Sequence, residues 1–142
     1  MTTLTLSIDS ADAQILASAA RGARRPVLLN SLALDAPWSE ALGDLLVRGD
    51  CEVVLSLRRA MELPNGVDDR IRWAEEGLAR LEGKGVDPER VLVDAIALPW
   101  GDDFEAGEGM LGFVREWARR GVGAGSLVGL GNLGHGHADA VR

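Results

Sequence analysis

Five short apolar runs punctuate the chain, at Leu4 to Ile8, Val27 to Leu29, Glu52 to Leu57, Val91 to Val93 and Ser126 to Leu130. They lack the strict apolar-polar alternation of a half-exposed strand, as strands covered on both faces of a parallel sheet do. Between them lie four segments with helical character. The first, about Ala11 to Ala23, is rich in alanine and follows Asp9 and Ser10, either of which can cap free backbone N–H groups. The second, about Pro37 to Arg48, has proline in its first turn and stops at Gly49.

The third segment carries the clearest periodicity. Val67, Ile71, Ala74, Leu78 and Leu81 recur at spacings of three and four, while Asp68, Asp69, Arg72, Glu75 and Glu82 take the opposite face. The fourth, about Gly109 to Arg120, groups Met110, Phe113, Val114 and Trp117 and closes at Gly121. Strands alternating with helices at this spacing predict an α/β fold with about five parallel strands, joined by right-handed crossovers. The glycine-rich end, Gly121 to Gly136, is expected to form loop, strand and loop.

A chain of 142 residues with 46% apolar residues can bury one core, so one domain spanning 1–142 is expected. The net charge of -7 opposes a nucleic-acid or anionic-membrane surface. Cys51 is the single cysteine, which excludes an internal disulfide and fits a reducing compartment. No apolar stretch approaches a spanning helix and the N-terminus has no export signal, so a cytoplasmic location is expected.

The apolar runs share one positional feature. Ile8 is followed by Asp9, Leu29 by Asn30 and Ser31, Leu57 by Arg58, Val93 by Asp94, and Leu130-Gly131 by Asn132. Ligands bind at the C-terminal edge of the sheet in parallel α/β folds, so these residues are expected to converge on one rim. Asp and Asn also cap the helix that follows a strand, and for any one of them capping and ligand contact stand side by side. Together the acid and amide tips favour a polar pocket.

The segments Leu6-Ser7-Ile8-Asp9-Ser10, Pro26-Val27-Leu28-Leu29-Asn30-Ser31, Val91-Leu92-Val93-Asp94 with Ala97-Leu98-Pro99, and Val128-Gly129-Leu130-Gly131-Asn132-Leu133 resemble successive strand-end motifs of the pterin-binding superfamily. Within it the chain is most similar to the methyltetrahydrofolate-corrinoid methyltransferases, because Asn132 stands where dihydropteroate synthases carry a serine-arginine-lysine element. The resemblance implies a partial TIM-type (β/α) barrel with outer helices, spanning strands three to seven of eight and incomplete relative to a full barrel. It also implies that Asp9, Asn30, Asp94 and Asn132 contact a reduced pterin such as methyltetrahydrofolate. Asn132 would be the catalytic residue, supporting N5 while the methyl group passes to a corrinoid (cobalamin) on a partner protein. The alternatives are a non-catalytic or degenerate pterin-binding module and a dihydropteroate-synthase-like enzyme. The chemistry of the tips agrees with such a ligand, since a carboxylate accepts paired N–H donors and an amide both donates and accepts.

The chain departs from the methyltransferase pattern at Arg58 and Arg59, at Ala95 and at His135. Arg58 and Arg59 either bind the glutamate tail of a folate or solvate a sheet edge. Gly129-x-Gly131-x-x-Gly134 matches a dinucleotide fingerprint only formally, without the βαβ unit that gives it meaning. His135, His137 and Asp139 are expected to form a solvated tail, with no resident metal. Trp38, Trp73 and Trp117 are expected to pack on helices, and Trp100 to wall the pocket. Homo-oligomer formation is an open expectation, since an unclosed parallel sheet has two unpaired edges.

Overall fold

The computed structural model describes residues 5–37, 40–60, 62–99 and 104–133. The chain is an α/β protein built on one all-parallel sheet. Its strands are β1 (Leu6–Asp9), β2 (Val27–Ala33), β3 (Cys51–Ser56), β4 (Val91–Asp94) and β5 (Gly125–Leu127), in spatial order β1-β2-β3-β4-β5. The intervening helices are α1 (Ala13–Gly22), α2 (Glu40–Arg48), α3 (Gly66–Glu82) and α4 (Phe104–Arg120), and the short α5 (Leu130–Leu133) follows β5.

The expected strands and helices form, with differences in their bounds: β2 runs on past Leu29 to Ala33, and α2 begins at Glu40, so Pro37 lies outside the helix. α1 starts at Ala13, because Asp12 rather than Asp9 or Ser10 caps it: its carboxylate accepts from Gln14 N at 2.7 Å and Ile15 N at 3.4 Å. α4 starts at Phe104, earlier than the apolar stripe suggests. The last apolar run is divided: the strand ends at Leu127, and Leu130, 73% exposed, opens a helical turn instead of closing a strand. Gly129 and Gly131 flank exposed Leu130, so beyond Val128 the run has no side chain packed on the core to hold it extended.

Sequential strand order places successive helices side by side on one face of the sheet, and the burial pattern shows which face. Val27 and Leu29 of β2, Val53 and Leu55 of β3 and Val91 and Val93 of β4 join Leu16, Leu42, Leu46, Leu78, Leu81, Phe113 and Trp117 of the helices in one core. The alternate positions Leu28, Val54 and Leu92 lie outside that core, on the opposite face, as a period of two requires. Val54 is nevertheless fully buried, so the centre of this helix-free face is covered.

Arginines fasten the loops to this frame. Arg80 of α3 donates to the carbonyls of Leu34 and Ala36 beyond β2, and Arg90 to those of Leu46 and Cys51. Arg70 is 1% exposed, and donates through Nε to Ala95 O at 3.0 Å and through Nη1 to Gly66 O at 2.8 Å. It thereby ties the start of α3 to the loop after β4. Trp117 closes the far end of the core, its Nε1 donating to Ala124 O at 2.9 Å and its ring stacked on Phe113. Trp73 is buried too, while Trp38 and Trp100 lie outside the described residues.

Candidate functional site

Parallel pairing sets which strand-end residues are neighbours. Asp9 ends β1 directly beside Asn30 of β2, and Ser56 ends β3 directly beside Asp94 of β4. Asn30 in turn pairs with Val54, and Asp94 with Leu127. All six positions have the parity of Leu28 and Leu92, so Asp9, Asn30, Ser56 and Asp94 share the helix-free face; Ser56 and Asp94 end their strands, while Asn30 lies inside β2, level with Val54 and one same-face step before them. Neighbouring strands are about 4.8 Å apart, so each pair can engage one small ligand.

The β2 side of this edge is irregular. Its register against β3 shifts between Asn30 and Leu32, and a cis peptide bond joins Asn30 to Ser31. The shift lets the strand keep Leu32 in the core opposite Leu55 while Asn30 remains on the other face. Beyond β4 the chain turns sharply: Ile96 has a φ of 56°, which a β-branched residue rarely adopts, and its N–H donates to Asp94 Oδ1 at 3.0 Å.

Burial raises the Asp94 carboxyl above its ordinary range, and the Ile96 N–H opposes the rise only in part. Asp94 is half-buried and holds that one hydrogen bond among the described residues, which leaves acceptor capacity on the carboxylate. Asn30 is half-buried beside exposed Asp9, and its side chain has no hydrogen bond among the described residues.

Ser56, 3% exposed, is the residue that sequence reasoning missed at this edge. Inside the run Val53-Val54-Leu55-Ser56-Leu57 it reads as one polar interruption of a buried strand; only its pairing with Asp94 marks it.

Asn132 is set apart from the other three. It lies exposed on α5, past the end of β5, where its N–H donates to Gly129 O at 3.0 Å and its side chain lies against Gly129. Arg59 is engaged by Glu76 and stacks over Trp73, with its guanidinium carbon 4.6 Å from the ring centre, whereas Arg58 is exposed. Cys51 is buried at the entrance of β3, and burial pushes its thiol up, away from the reactive thiolate. His135, His137 and Asp139 lie outside the described residues. Two surface grooves include none of these strand residues. One is lined by Val67, Leu111 and Arg115 between α3 and α4, the other by Arg21, Arg24, Arg25 and Asp50 near the start of β2.

The fold and this edge define a parallel α/β protein with acid, amide and hydroxyl groups gathered on one face of its sheet. No model of a known protein family matches the chain, and no curated protein is significantly similar to it. No helix among the described residues is long and apolar enough to cross a membrane.

Proposed function

We propose that this chain binds a reduced pterin such as methyltetrahydrofolate at the C-terminal edge of its sheet, as a (β/α) barrel-type domain. The single observation that carries the reading is the register that aligns Asp9 with Asn30 and sets Asp94 on the same face. Asp94 offers a partly desolvated carboxylate to the adjacent 2-amino and ring N–H groups of the pterin, a bidentate arrangement that gains strength from its half-buried setting. Asn30 reaches the neighbouring carbonyl and ring nitrogens, and Asp9 closes the row at the β1 side.

In its catalytic form the reading adds methyl transfer from N5 to a corrinoid, which supplies a reduced cobalt nucleophile when its carrier protein docks. The chain's own task is then to hold the donor and to support N5 through Asn132 as charge changes there. A second reading, a pterin-binding module without catalysis, is favoured by one observation: Asn132 is exposed on α5, where water competes for its hydrogen bonds.

Titration calorimetry with methyltetrahydrofolate tests the site. Asp94→Ala is expected to weaken binding more than about tenfold, the loss of a charge-assisted pair, whereas Asp139→Ala leaves it unchanged. Equal effects of the two variants would remove the pocket assignment. Methyl transfer to reduced cobalamin by the purified chain separates the two readings: turnover supports the enzyme, and binding without turnover supports the module.

A further inference from the structure

Among the described residues, Ser56 is the most deeply buried polar residue on the helix-free face, and its hydroxyl has no hydrogen bond. A buried hydroxyl without a partner costs about 1–3 kcal/mol, so such groups are rare, and each calls for a cause. Packing alone is no cause here, because alanine would fill nearly the same volume without the penalty. The residue instead stands directly beside Asp94 at the C-terminal end of β3, on the same face as Asn30, which lies one same-face step further back and also has no side-chain partner among the described residues.

We infer that Ser56 is a further ligand-binding residue, whose hydroxyl completes its hydrogen bonding on the same heterocycle edge that Asp94 holds. The inference rests on the pterin reading and extends it to a residue on β3, the central strand. A carboxylate that accepts from two adjacent N–H groups sets the ring edge along the sheet, and the next strand lies about 4.8 Å away. The next polar atom along that edge, a ring carbonyl oxygen or unprotonated nitrogen, is an acceptor, and a serine hydroxyl can rotate to donate to it. The ligand class is therefore a fused heterocycle with two adjacent N–H donors followed by an acceptor. The arrangement also exchanges stability for binding: the unbound fold carries an unsatisfied hydroxyl that the ligand relieves.

The test uses the full chain as wild type, Ser56→Ala, Ser56→Cys, Asp94→Ala and, as a control, Ser7→Ala, with 6-methylpterin and methyltetrahydrofolate as probes. Calorimetry measures binding, and urea unfolding without ligand measures stability. The expected result is that Ser56→Ala weakens pterin binding roughly three- to tenfold, as loss of one neutral hydrogen bond does, while its unfolding midpoint stays equal to wild type or rises. Ser56→Cys, a weaker donor of similar shape, should weaken binding with the same sign, and Ser7→Ala should change neither property. A lower midpoint for Ser56→Ala would show that the hydroxyl has a structural partner and would overturn the inference. Unchanged affinity in Ser56→Ala alongside lost affinity in Asp94→Ala would overturn it too while leaving the pterin reading intact. Failure of the wild-type chain to bind either probe would overturn both.

Discussion

The same substitution at two helical glycines should have opposite effects. A helix-interior glycine replaced by alanine gains about 0.8–1 kcal/mol, because the unfolded chain loses conformational freedom that the helix never uses. At Gly43 of α2 nothing lies within 4 Å of the added methyl, so Gly43→Ala should keep that gain. At Gly77 of α3 the methyl would stand 2.6 Å from a Leu34 methyl and 2.7 Å from a Leu55 methyl. Both leucines are core residues, and neither can retreat without displacing close-packed neighbours. Overpacking of this kind costs about 1–3 kcal/mol, which exceeds the propensity gain, so Gly77→Ala should lose about 1 kcal/mol net. The two variants should thus lie about 2 kcal/mol apart, or about 1 M in urea midpoint at an ordinary denaturant slope. Urea titration followed by tryptophan fluorescence measures both. If Gly77→Ala proved as stable as Gly43→Ala, the close seating of α3 on β2 and β3 would be wrong.

Arg70→Met should destabilise the chain by about 3 kcal/mol, since it removes two charge-assisted hydrogen bonds from a buried site and strands the carbonyls of Gly66 and Ala95; a loss below about 0.5 kcal/mol in urea unfolding would refute that role. The Asp94 carboxyl has a folded pKa raised by burial, so the stability it contributes is present below its unfolded pKa and is lost as pH rises through the folded one. Asp94→Asn should therefore raise the thermal midpoint at neutral pH and bring little gain near about pH 3, and a gain that grows on acidification would contradict the assigned cause.

The sequence by itself determined the alternation of strands and helices, because periodicity and caps are local: the stripe Val67, Ile71, Ala74, Leu78, Leu81 lies on α3, four of the five apolar runs lie on or overlap β1 to β4, and Ser126 and Leu127 of the fifth lie in β5. It also located Asp9 and Asp94 at strand ends, since a polar residue closing an apolar run marks where the strand leaves the core, whereas Asn30 lies inside β2, which runs on to Ala33. Arg70 was legible only in part. It shares a face with Ala74, Gly77 and Leu81, yet its charge beside Asp68 and Asp69 suggests a solvated position until the carbonyls of Gly66 and Ala95 are seen to receive it. Tertiary structure alone decided that Ser56 stands beside Asp94 and that Asn132 sits on a helical turn. Strand register and the partner of a buried hydroxyl depend on residues far apart in the chain, which no local pattern encodes.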